Sequence, residues 1–80
     1  MNHMTKAIKL NTEAMKTLVR TLGLSESQAA ERIGVKRQTF VRAMEGGNVS
    51  AAFVAGVLIG FGLEDFGQMF YTTAREEIAA

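Results

Sequence analysis

The sequence lacks cysteine, proline and tryptophan, and its only histidine is His3. Without cysteine there are no disulfides and no thiolate metal sites, and one histidine cannot form an imidazole metal site. A core built from 80 residues stabilises a fold by only about 3–5 kcal/mol without such cross-links. The composition therefore predicts one small domain with no metal or cofactor, for which dimerisation would add stability.

The two halves of the chain differ in charge, although the net charge is only +1. Residues 1–44 carry eight Lys or Arg and three acidic residues, whereas residues 45–80 carry one and five. A basic half favours an anionic partner on that side of the molecule. Ordinary surface variation would give the same pattern, so the charge distribution alone does not establish an anionic partner.

Residues 46–63 contain no charged side chain at all. Their length is near the lower limit of about 17–25 residues for a membrane span, but Gly46, Gly47, Asn48 and Ser50 shorten the apolar part. We interpret this segment as a helix that is buried or faces a partner, with membrane association as the less favoured reading. The N-terminus shows no apolar signal region, so a cytoplasmic protein is expected.

Local start and stop signals predict short helices along most of the chain. Asn11 or Thr12 would begin the first helix and Gly23 would end it. Ser25 and Gln28 have the spacing of a capping box at the start of the second. The five predicted helices cover about residues 12–22, 25–33, 36–45, 50–61 and 65–73.

Five short helices with brief connections predict a compact all-α domain. We expect residues 1–10 to be a flexible arm, residues 11–74 to be the domain and residues 75–80 to be a tail. Thr5 to Leu10 alternates weakly between polar and apolar residues, which leaves a short strand open there.

The third predicted helix is basic and carries no acidic residue before Glu45. Lys36, Arg37, Gln38 and Arg42 lie on it. Arginine can donate two hydrogen bonds to guanine O6 and N7, and glutamine can pair with adenine N6 and N7. A short helix with these side chains has the chemistry to read base edges in a major groove, although a solvated surface helix can carry the same residues.

The residues before this helix resemble a known family. Ala30 at a crowded helix contact, Gly34 in the turn, Val35 after it and Phe40 at a buried position match the lambda-repressor/Cro-type helix-turn-helix family. The resemblance covers about residues 12–71. It implies a lambda-repressor-like domain of five helices, with the helix-turn-helix formed by helices 2 and 3. It also implies binding of double-stranded DNA at a palindromic operator, as a homodimer.

The resemblance implies roles for individual residues on and near the third helix. The expected base-reading residues are Arg37, Gln38, Arg42 and Val41. The expected phosphate contacts are Lys36, Thr39, Ser27, Gln28, Lys16 and Arg20. Lys16 and Arg20 are equally well explained as plain surface charge.

The chain departs from the family pattern in three places that matter. Val41 lies at a recognition-face position that is often polar in the family, and it would either contact a thymine methyl group or pack against its neighbours. Glu26 stands where many members place a phosphate-binding glutamine, and its charge would repel the DNA backbone. The fourth helix lacks the usual exposed Lys and Glu, and Gly56 and Gly60 form a GxxxG step that permits close helix approach. We therefore predict a dimer interface on it, formed by Phe53, Val54, Val57, Leu58 and Phe61.

These features predict a small DNA-binding transcriptional regulator, and the resemblance implies a repressor of the phage or prophage type. The alternative is an antitoxin or adaptor that uses the apolar fourth helix to bind another protein. No carboxylate is paired with a nucleophile or a general base, so no catalytic residue is predicted.

Overall fold

The structure, a computed structural model, describes the backbone of residues 2–78 and the side chains of residues 6–74. Within these residues it contains four α-helices, one 3-10 turn and three strands. In chain order these are β1 (Asn2–Leu10), α1 (Thr12–Leu22), α2 (Glu26–Ile33), α3 (Arg37–Met44), β2 (Asn48–Val49), α4 (Ala51–Gly60), the 3-10 turn (Phe66–Gln68) and β3 (Phe70–Ile78). The fold is therefore mixed α/β.

The predicted all-α domain of five helices is wrong at both ends of the chain. The expected flexible arm forms β1, and the expected fifth helix is a 3-10 turn followed by β3. Phe66, Met69 and Phe70 have helical spacing, but a single tight turn satisfies that spacing as well. The aromatic and β-branched residues from Phe70 to Thr73 favour an extended strand once β1 is available as a partner.

The three strands form one antiparallel sheet with the order β2-β1-β3. Leu10 lies opposite Phe70 and Ile8 lies opposite Thr72, while Ile8 also faces Val49 on the other side. Because β2 has only two residues, it covers a small part of β1. The long strands β1 and β3 give the molecule an elongated shape of 47 × 25 × 20 Å.

The predicted helix caps of α1 and α2 are confirmed. Asn11 accepts a hydrogen bond from the Ala14 amide, and Gly23 ends α1 in the left-handed conformation. Ser25 and Gln28 form the complete capping box of α2, with bonds of 3.1 and 2.8 Å. These local contacts satisfy amides that the first turn of a helix leaves without partners.

The core lies between the helices and the end of the sheet where Leu10 pairs with Phe70. Phe53 packs edge-on against Phe70 with ring centroids 6.3 Å apart, and Phe66 stacks on Phe70 at 5.3 Å. The buried side chains are Leu10, Met15, Ala29, Ala30, Ile33, Phe40, Ala43, Phe53, Val57, Met69 and Phe70. The strands thus complete a core that the helices leave open.

Gly56 and Gly60 bring α4 into close contact with the end of α2. A Cβ atom at Gly56 would overlap the Ile33 carbonyl oxygen, and one at Gly60 would overlap the Arg32 carbonyl oxygen. The GxxxG step therefore packs two helices of the same chain. Within the described residues, no helix has the length and apolarity to cross a bilayer.

We expect Gly56→Ala to destabilise the fold, although alanine favours a helix by about 1 kcal/mol over glycine. The new methyl group would push α4 away from the Ile33 backbone, at a cost of about 1–3 kcal/mol. Thermal unfolding would show a lower midpoint, by about 4–8 °C for each kcal/mol. Gly67→Ala is the control, since its Cβ would come no closer than 3.4 Å to Asp65. Equal midpoints for both variants would contradict the close approach.

Candidate nucleic-acid interface

The turn between α2 and α3 sets the direction of α3. Gly34 adopts a φ of 90°, which favours glycine, and its amide bonds to the Ala30 carbonyl at 2.8 Å. The Val35 amide bonds to the same carbonyl at 3.0 Å. Ala30 and Phe40 are both buried, so the two helices pack closely here. The geometry is that of two short helices joined by a tight turn.

The side chains predicted to read bases lie together on the outer side of α3. Arg37, Gln38 and Arg42 are exposed, whereas Val41 is half-buried. All four line one open groove on the surface, together with Glu26 and Glu45. The structure thus brings the predicted base-reading residues to one surface, and it adds two carboxylates to that surface.

The start of α3 is open to an external acceptor. Lys36 occupies the N-cap position, and its side chain makes no capping hydrogen bond. Lys36 and Thr39 are both exposed. A helix start with uncapped amides and an adjacent cation has the polarity that attracts phosphate oxygens.

The other predicted phosphate contacts have more varied surroundings. Ser27 is exposed on the first turn of α2, but the Gln28 side-chain oxygen is used to cap the Ser25 amide. On α1, Lys16 lies 3.6 Å from Glu13, and Arg20 is exposed in the last turn. Ser27 directly follows the groove residue Glu26 in the chain, whereas Lys16 and Arg20 lie on α1 and do not line the groove.

Glu26 makes the one contact at this site that the sequence interpretation missed. Arg37 Nη2 donates to Glu26 Oε1 at 3.0 Å, and both side chains remain exposed. From the sequence alone, Glu26 is expected only to repel the DNA backbone. The opposite charges of Glu26 and Arg37 were the available signal, but sequence spacing alone does not show that the first residues of two consecutive helices meet.

The predicted dimer interface is divided by the structure. Phe53 and Val57 are buried in the core of the chain itself, so they offer no surface to a partner. Val54, Leu58 and Phe61 are half-buried, and Arg32 lies over the Phe61 ring at 5.4 Å. The side of α4 that remains open carries Ala55 and Ile59, and Ile59 is 82% exposed. Among the described side chains, Ile59 is the most exposed large apolar residue.

Comparison of this chain with protein-family models, with curated proteins and with solved structures gave no match. The groove beside α3 and the exposed face of α4 are therefore the surfaces that bear on function. No group of His, Cys, Asp and Glu among the described side chains has the arrangement of a metal site.

Proposed function

We propose that this protein is a sequence-specific transcriptional regulator that binds double-stranded DNA, with α3 in the major groove. The observation that carries the proposal is the shared outward position of Arg37, Gln38 and Arg42. Buried Ala30 and Phe40 hold the helix that presents them. A rigid helix with exposed arginine and glutamine matches the hydrogen-bonding pattern of base edges.

The predicted contact residues on and beside α3 each have a chemical role in this proposal. Arg37 donates to a guanine, Gln38 pairs with an adenine, and Arg42 reaches a base or a phosphate one turn later. Val41 is placed for apolar contact with a thymine methyl group. Lys36, Thr39 and Ser27 bind phosphate oxygens and set the register of the protein on the duplex.

The proposed biological action is repression by occupancy, as in small phage- or prophage-type repressors. A protein that covers a promoter blocks transcription without a separate effector domain. A palindromic operator would be bound by two copies, with half-site centres about 34 Å apart. The first step of the test is selection of bound duplexes from a random pool, which gives the preferred site.

We expect Arg37→Ala and Gln38→Ala to weaken binding to the selected site by about 1–3 kcal/mol each. Binding to random duplexes should change much less, since these side chains contact bases. Equilibrium titration of both duplexes with each variant measures the difference. The proposed base contacts would be refuted if every duplex lost affinity equally.

Lys36→Ala is the matched comparison for Arg37→Ala and Gln38→Ala. Lys36 directly precedes these residues in the chain, but in the proposal it contacts phosphates and not bases. Its removal should weaken binding to all duplexes alike. It should also lower the slope of log affinity against log salt by about one. A salt slope identical to that of the wild type would remove Lys36 from the phosphate contacts.

We further propose that the protein dimerises through the exposed face of α4. Ile59 and Ala55 lie one turn apart on this face, and no charged residue occurs on α4. Complete burial of an isoleucine side chain is worth about 1.5–3 kcal/mol. A two-fold axis beside Ile59 would bury it against its own copy, and the pair of α3 helices could then address two half-sites.

Ile59→Glu should give monomers, because it places a charge in the centre of the proposed contact. The position is 82% exposed, so the substitution leaves the core intact. Sedimentation equilibrium measures the mass of each species. Thr72→Glu is the control, since Thr72 is exposed on β3 and outside α4. Monomers from Thr72→Glu together with dimers from Ile59→Glu would contradict an interface on α4 and indicate one on the sheet.

The second candidate function, an antitoxin or adaptor, rests on the same exposed Ile59. In that case α4 would bind a different protein, and the groove beside α3 would have no ligand. Failure of the wild-type protein to enrich any duplex at low salt would favour this candidate over the regulator.

A further inference from the structure

Glu26 and Arg37 are the first residues of α2 and α3, and their side chains meet. Arg37 Nη2 donates to Glu26 Oε1 at 3.0 Å. The Arg37 side chain is 60% exposed and the Glu26 side chain is 51% exposed. The ion pair therefore lies on the surface, where a ligand in the groove would meet it.

The ion pair contributes little to the stability of the fold. Exposed pairs of this kind stabilise a fold only weakly, and salt screens them. The packing of α2 on α3 has a stronger basis in the burial of Ala30 and Phe40. The main physical effect of Glu26 is therefore to restrict where the guanidinium of Arg37 lies.

Arg37 keeps enough hydrogen-bond donors to bind a base while it contacts Glu26. A guanidinium has five N–H groups in a planar fork, and the contact at Nη2 uses one of them. Guanine needs two, one for O6 and one for N7. An arginine without this restraint is free to turn toward phosphate oxygens, which carry no sequence information. Restraint by Glu26 thus favours the base contact over the phosphate contact.

The Glu26 carboxylate also lowers the affinity for DNA of any sequence. Glu26 lines the groove together with Glu45, beside Arg37, Gln38 and Arg42. Phosphates within a Debye length of about 8–10 Å are repelled by a carboxylate whatever the base sequence. Glu26 therefore weakens binding to random DNA, whereas its effect on Arg37 applies only where a suitable base is present.

We propose that Glu26 is a positioning residue that directs Arg37 to a guanine and raises discrimination between duplexes at the expense of overall affinity. The inference rests on the proposed DNA-binding function and adds to it a residue that determines specificity. Its measurable consequence lies in the ratio of affinities for the selected and random duplexes.

The test compares Glu26→Ala with Glu45→Ala in the full chain, on the selected duplex and a random duplex. Both substitutions remove a carboxylate from the groove, but only Glu26 contacts Arg37. We expect both variants to bind random DNA several-fold more tightly. The affinity ratio should fall about 2- to 5-fold in Glu26→Ala, with the loss confined to one guanine position, and stay unchanged in Glu45→Ala.

A double variant tests whether Glu26 acts through Arg37. In an Arg37→Ala background, Glu26→Ala should leave the affinity ratio unchanged, because the side chain that it orients is gone. Thermal unfolding of each variant is measured in parallel. A structural role would lower the midpoint and weaken binding to both duplexes together, and this result would overturn the inference.

The failure of this inference is distinct from the failure of the proposed function. If the wild-type protein selects a duplex and Glu26→Ala keeps the full affinity ratio, Glu26 is not a positioning residue, and DNA binding stands. If the wild-type protein selects no duplex, the proposed function itself fails and the inference fails with it.

Discussion

Close packing of α2 against α4 is the constraint on which the rest of the structure depends. Gly56 and Gly60 let the α4 backbone reach the Ile33 and Arg32 carbonyl groups, where a larger residue would be in overlap. With α2 held in this way, the turn at Gly34 sets the direction of α3. The contacts between α4 and the end of α2 therefore help to fix the position of α3 and its exposed residues. The geometry of the groove thus depends on packing inside the core.

The groove beside α3 carries both positive and negative side chains, and both would change its affinity for a polyanion. Arg37 and Arg42 attract phosphates, whereas Glu26 and Glu45 repel them. A uniformly basic surface binds DNA strongly and with little selectivity, because the phosphate contacts are independent of sequence. Carboxylates among the arginines reduce this general attraction and leave base contacts with a larger share of the binding free energy.

The sequence predicts the helical part of the fold correctly, but it does not predict the sheet. Caps such as Asn11, Ser25 and Gly34 act within a few residues, so their effect is readable from local sequence. The pairing of Leu10 with Phe70 joins residues far apart in the chain, and periodicity carries no record of it. The apolar residues around Phe66 were assigned to a helix because nothing nearby indicated that β1 would offer a strand partner.

The sequence by itself determined α1 to α4, the caps of α1 and α2, and the identity of the side chains on the outer face of α3, because these depend on neighbours within one or two turns. Only the tertiary structure decided that β1 and β3 complete the core. It also decided that Phe53 and Val57 face inward while Ile59 faces outward, and that Glu26 holds Arg37. The physical reason is that an apolar helix such as α4 has no preferred side until other elements cover part of it.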